Sequence, residues 1–308
     1  KDQACTNIQH GSPDGGRPIM VHDAVVARMD EAEIRNPKLK GLVEPVKGVL
    51  NTALPLLATP DLKQVRSALM AEFPHAAAVI DTVLTDLIGR PTIRLRPLLL
   101  VSEPGGGKSR FARRLGEVLG LGIWHVDAAQ SDGAVFAGTD RRWHSAECCH
   151  PLLAIARAKV ANPLILIDEI EKAGTRSDYG RLWDCLLGLL ERETSSRYQD
   201  PTLQIPLDLS QICYVATANS LDPLPAPLRD RFRIVTFPKP TLDDLDALLP
   251  GLIKTLATER GVDARWIAPL TPDERNAVAS AWPGGSIRRL QRIFEAILLA
   301  RDHAASRH

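Results

Sequence analysis

Two groups of residues in this chain have the types and spacing to act together on a phosphate ester. The first is the stretch SEPGGGKS, Ser102 to Ser109. It departs from the phosphate-loop pattern Gly-x-x-x-x-Gly-Lys-Ser/Thr only at the first place, where Ser102 replaces glycine. Gly105, Gly106 and Gly107 let backbone N–H groups approach a phosphate with no side chains in between, and Glu103, Pro104 and Arg110 complete the loop around them. In such a loop Lys108 reaches the outer phosphates and the Ser109 hydroxyl ligates Mg²⁺. The second group is Asp168 and Glu169, which follow the aliphatic run in NPLILIDEIEK. A carboxylate emerging from a buried strand beside a phosphate site can hold Mg²⁺, and a second can polarise the attacking water. An acid at position 169, not an amide or alanine, argues for hydrolysis over binding alone.

Such a loop works only where it leaves a buried strand and enters a helix, because the free N–H groups of the helix N-terminus bind the phosphates. PLLLV leads in and SRFARRLGEVLG leads out. Short apolar runs predict strands at Leu98 to Ser102, Ile123 to Asp127, Leu164 to Asp168, Ile212 to Ala218 and Ile234 to Phe237, with helices at Ser109 to Leu119, Pro151 to Val160 and Tyr179 to Glu193. That alternation predicts an α/β fold, a parallel sheet of these strands flanked by helices over residues 74–240. A break at PKP, Pro238 to Pro240, precedes a helical small domain over 241–308. Residues 1–20 read as a polar, glycine-rich flexible lead-in, and apolar spacing of three and four predicts a helical region over 21–73. Ser102 ends its strand, where serine suits the backbone unless φ must be positive.

With these motifs in order, the chain resembles the ATPase portion of Lon proteases within the AAA+ group, from about Pro74 to the C-terminus. NPLILIDEIEK looks like the Walker B segment of that family, and SEPGGGKS like its Walker A. VATANSLDPLPAPLRDRFRIV is similar to the stretch carrying sensor 1 and the arginine finger, which the resemblance puts on Asn219 and Arg231. GGSIRRLQR is similar to the sensor 2 segment and gives that role to Arg288. VFAGT resembles the pore-loop motif, placing it on Phe136, Ala137 and Gly138, with Phe136 expected on an exposed loop. The resemblance implies ATP and Mg²⁺ as cofactors, a small helical lid domain, a homo-oligomeric ring such as a hexamer in which Arg231 serves the neighbouring subunit, and a polypeptide substrate drawn through a central pore. The Ser-Lys peptidase segment of the family is not recognisable in these residues, so the expected activity is ATP hydrolysis without peptide-bond cleavage. A separate protease or adaptor is a possible partner.

Composition narrows the alternatives. The chain has 308 residues, 44% of them hydrophobic, enough for a real core. No apolar run is long enough to span a bilayer and no leader opens the sequence, which reads as cytoplasmic and without membrane contact. The net charge of +1 gives no global attraction to nucleic acid. Five cysteines, two of them adjacent at Cys148 and Cys149, fit a reducing compartment better than a disulfide framework. HSAECCH offers His and Cys ligands but no second pair at zinc-finger distance. Two other readings remain open: a nucleotide-switched scaffold that threads nothing, and the ATPase piece of a longer or two-chain protease.

Overall fold

The computed structural model describes residues 19–174 and 180–305. Most of the expected lead-in, and the Tyr179 start of one expected helix, fall outside them. The first elements are strands β1 (Ile19–Val25) and β2 (Ala53–Leu57), paired antiparallel in the register Val25 to Ala53 and Ile19 to Leu57. This corrects the helical expectation for residues 21–57, where only the short turns Glu31–Ile34 and Lys40–Val43 are α-helical. Pro45 and Pro55 deny a helix its N–H donors. Asn51, at φ +54°, turns the chain and binds Met29 like a ladder partner, its Oδ1 accepting from the Met29 N–H at 2.9 Å and its Nδ2 donating to the Met29 carbonyl at 2.8 Å. Helices do form where expected further on, at α1 (Leu62–Glu72) and α2 (Ala77–Leu84).

The central sheet contains β3 (Leu98–Val101), β4 (Ile123–Asp127), β5 (Leu164–Asp168), β6 (Cys213–Ala218) and β7 (Arg233–Thr236). All pair in parallel, in the order β4-β5-β6-β3-β7. Between them run α3 (Lys108–Val118), α4 (Gly133–Ala137), α5 (His150–Ala158), α6 (Leu182–Leu190) and α7 (Ala226–Arg231). Strand residues alternate between two cores, as the two-residue period of a strand requires. Leu99, Ile165, Ile167 and Ala216 face one core with α5 and α6; Leu98, Leu100, Leu164 and Leu166 face the other with α1, α2 and α3. The N-terminal segment feeds both cores, through Val26, Leu54 and Leu56 on one side and Leu57, Leu69 and Phe73 on the other, so it is fused to the sheet.

The C-terminal lid is helical and has small cores of its own. It comprises α8 (Leu245–Arg260), α9 (Pro272–Ala281) and α10 (Ile287–Ala305). Capping boxes at Thr241/Asp244 and Thr271/Glu274 satisfy free N–H groups where its helical segments begin. No helix among the described residues is long and apolar enough to cross a membrane.

Candidate active site

The ends of β3, β5 and β6 and the first turn of α3 surround one cleft, which the start of α10 closes from the lid side. Gly105 and Gly107 have φ of +89° and +93°, a region that side-chain-bearing residues rarely adopt. A Cβ on Gly105 would stand 2.5 Å from Ser286 Oγ, and one on Gly107 2.8 Å from Ile287 Cδ1. The loop is thus packed on the lid, and the Ile287 N–H donates to the Gly105 carbonyl at 2.9 Å. Ser102 directly follows β3 and does not take a positive φ, and its Oγ lies 3.1 Å from where a Gly106 Cβ would be.

Lys108 is 7% exposed. Its Nζ donates to the carbonyls of Ser102 (2.5 Å) and Glu103 (3.2 Å), to Ser102 Oγ (3.3 Å) and to Asn219 Oδ1 (3.1 Å). Burial pushes its pKa down, against the opposing pull of Glu171 and Glu169. Asp168 ends β5 with its Oδ1 accepting from Thr217 Oγ1 at 2.9 Å and its Oδ2 2.7 Å from His125 Nε2. Burial alone would raise its pKa, but hydrogen bonds with Ser109, His125 and Thr217 outweigh it and keep the carboxyl below its ordinary value. An ionised carboxylate beside a serine hydroxyl, at the mouth of a phosphate loop, is the hard oxygen donor set that suits Mg²⁺, with phosphate oxygens and water filling its other positions. Asp168 and Ser109 fit that role.

Glu169 has the left-handed conformation, φ +54°, unusual for a residue with a side chain. Its N–H donates to Thr217 Oγ1 at 3.1 Å, which fixes the turn. Its Oε2 accepts from Lys172 Nζ at 2.6 Å, and that bond holds its carboxyl below the ordinary value. Asn219 Nδ2 is 3.4 Å from Glu169 Oε1 and 2.8 Å from Glu171 Oε1. Arg288 lines the same cleft from the lid, and Pro104 and Arg110 line it from the phosphate loop and α3. Arg110 also pairs with Glu72 at 3.7 Å and lies over the Phe73 ring. Glu103 points to Lys239, its ion-pair partner, and is not part of the lining. Arg231 is not in the cleft either: it is the last residue of α7, bonded to Glu191 at 2.9 Å and to the Pro227 carbonyl at 3.3 Å.

Phe136 differs from expectation. It is fully buried in α4, edge-on to His150 with ring centroids 5.7 Å apart, so it is not an exposed aromatic. Asp132 caps that helix through the Val135 N–H, and this turn rolls Phe136 into the core. Gly138, at φ +90°, ends it, and Ala137 gives its carbonyl to Tyr198. The exposed aromatic of this region is Trp143, at 69%. It sits on a loop pinched at its base, where Thr139 N–H donates to the Glu147 carbonyl at 3.1 Å and the Thr202 hydroxyl shares its one hydrogen between the carbonyls of Thr139 and Glu147, at 2.6 and 2.7 Å. Also missed from the sequence were His125, Thr217 and Glu171. The first two could have been found as polar residues inside otherwise apolar strands, IWHVD and CYVATA.

The sequence pattern of the ATPase family associated with various cellular activities (AAA) matches residues 98–239. Over 237 residues, or 72% of this chain, the sequence is 29% identical to the Lon protease of Chloroflexus aggregans. It is 32% identical over 57% of the chain to the mitochondrial Lon protease homolog of Neurospora crassa, and 27% over 80% to the peroxisomal Lon protease homolog 2 of Arabidopsis thaliana. The chain carries an AAA+ ATPase module of the Lon type. Its alignments span between 16% and 28% of the length of these relatives. The fold of the module is also that of a solved S. cerevisiae Hsp104:casein complex in its extended conformation, with TM-score 0.63 over 79% of this chain and 47% of that one, at 15% identity. The AAA match implies that the module binds nucleotide.

Proposed function

We propose that this module hydrolyses ATP within a homo-oligomeric ring, a hexamer, and uses the cycle to unfold or translocate a polypeptide through a central pore. The observation that carries the reading is the joined network of Lys108, Asn219 and Glu169 at the mouth of the glycine loop. Gly105 to Ser109 would cradle the phosphates, with Lys108 exchanging its carbonyl partners for phosphate oxygens. Mg²⁺, held by Asp168 and Ser109, would neutralise phosphate charge when bound. Glu169 is the base for the attacking water, Asn219 orients that water, and Arg288 joins the lid to the nucleotide. Arg231 faces away from its own cleft, which supports its service as an arginine finger to the next subunit and hence an obligatory ring.

The polypeptide contact moves from Phe136 to Trp143, because only an exposed aromatic can grip a passing chain. We place the protein in the cytoplasm, since its four described cysteines are free and three are buried. The test is electron microscopy of Glu169→Gln with ATP and a labelled unfolded polypeptide, read beside its ATPase rate. A ring with a strand in its pore and no turnover is expected; a monomer, or an unchanged rate, sinks the reading. A second reading is that the module is the ATPase part of a longer Lon-type protease, favoured by the small share of its relatives that it spans. Reading the gene on both sides of these residues for a Ser-Lys peptidase tests it.

A further inference from the structure

Glu171 lies in the same cleft network, and neither the phosphate loop nor the Mg²⁺ site uses it. It follows Glu169 by two residues, in the short 3₁₀ turn Ile170–Lys172. Its Oε1 accepts from Asn219 Nδ2 at 2.8 Å, while the contact of the same Nδ2 to Glu169 Oε1 is 3.4 Å. Its Oε2 is buried and finds no donor among the described residues. A buried carboxylate oxygen without a partner is destabilising, so a merely structural role would favour an apolar residue here.

The chemistry of the neighbours leaves the Asn219 amide only one orientation. Its oxygen must face the Lys108 ammonium, 3.1 Å away, and its NH₂ must face the two carboxylates. Reversing it would set NH₂ against ammonium and oxygen against two acids. Of those acids Glu171 takes the short bond. Without it, the nearest acceptor for Asn219 Nδ2 would be Glu169, and a general base occupied by an amide donor is a weaker base for water.

We propose that Glu171 is a positioning residue: it takes the shorter bond of the Asn219 amide, which fixes that side chain and keeps its contact with Glu169 Oε1 long and weak at 3.4 Å, so that this oxygen can still accept a proton from water. The proposal rests on the reading of Glu169 and Asn219 as hydrolytic residues. Glu171 does not line the cleft, so it acts on turnover and not on nucleotide affinity.

The experiment is a double-mutant cycle on the full chain, measuring kcat for ATP, ATP binding with a fluorescent analogue, and the melting transition. Glu171→Ala is expected to lower kcat about tenfold, with ATP affinity unchanged within about twofold, the size of one misplaced catalytic hydrogen bond. Glu171→Gln, which keeps the shape and one acceptor oxygen, should recover most of that rate. Asn219→Ala should lower kcat by at least as much, and adding Glu171→Ala to it should cost little more. If the two losses multiply, or if Glu171→Ala leaves kcat intact while Asn219→Ala lowers it, the positioning role is overturned and the reading of Asn219 stands. If Asn219→Ala leaves kcat intact, that reading falls and the role of Glu171 falls with it. A Glu171→Ala variant that loses ATP affinity or melts early, with no recovery in Glu171→Gln, also overturns the proposal.

Discussion

Where β3, β5 and β6 end, side chains hold one another: Lys108 to Asn219, Asn219 to Glu171, Thr217 to Asp168. In the loop from Thr139 to Glu147 the backbone turns are held, Trp143 N–H by Asp140 and Ala146 N–H by Trp143, and Arg141 reaches the Leu203 carbonyl, but the Trp143 side chain is left in solvent. The first region ties side chains from three strand ends to one another, which holds Asn219 and Asp168 in place as the proposed site would require. The second spends its hydrogen bonds on its backbone and keeps a large aromatic surface uncommitted, as would suit the polypeptide contact proposed for it. Rigidity is therefore placed by task, and two aromatics of the same stretch, Phe136 and Trp143, fall on opposite sides of that division.

Substitutions can break or sharpen this contrast. The largest effect is expected from Arg231→Ala, which should reduce steady-state ATPase by about 10³-fold or more while each subunit still binds ATP. Mixing it with Glu169→Gln subunits should restore some turnover if the finger acts across subunits, and none if it acts within one. Glu169→Gln should cost about 10²–10⁴-fold in kcat, with ATP retained. Phe136→Ala should destabilise the fold by about 3–5 kcal/mol, seen in denaturant or thermal melts, since it empties a fully buried site. Gly107→Ala should cost about 1–3 kcal/mol, for a side chain forced to φ +93° and against Ile287, and should weaken ATP binding. Trp143→Ala should leave the melting transition within about 0.5 kcal/mol and ATP affinity unchanged, while polypeptide processing is lost. Equal melting losses for Phe136→Ala and Trp143→Ala would erase the contrast.

The sheet and its phosphate loop were legible because fully buried parallel strands are unbroken aliphatic runs, as in LLLV and LILI, and because only glycine meets the backbone demands of the loop. The N-terminal ribbon was not, since Val, Leu and Ala at mixed spacing over 21–57 suit a helix face as well as a strand buried on one side. Tertiary pairing with β2, braced by Asn51, decides it. Phe136 was misplaced because the short pattern of aromatic, small residue and Gly carries no burial signal of its own. The better cue was the neighbourhood: Trp143 stands among Arg141, Arg142 and His144, whereas Phe136 follows Val135 on a capped helix. Glu171 was passed over because a third acid beside two stronger candidates reads as surface charge. Its bond to Asn219, distant in sequence, exists only once β5 and β6 lie side by side.

The backbone bond from Ile287 to Gly105 ties the first turn of a 19-residue helix to the middle of the phosphate loop. At 1.5 Å per residue that helix is about 28 Å long, so a tilt of about 5° at its root moves its far end by about 2 Å. In this arrangement α10 is the long arm of a lever and Gly105 lies at its fulcrum, so a small shift of the glycine loop becomes a displacement several times larger at the far end of the helix.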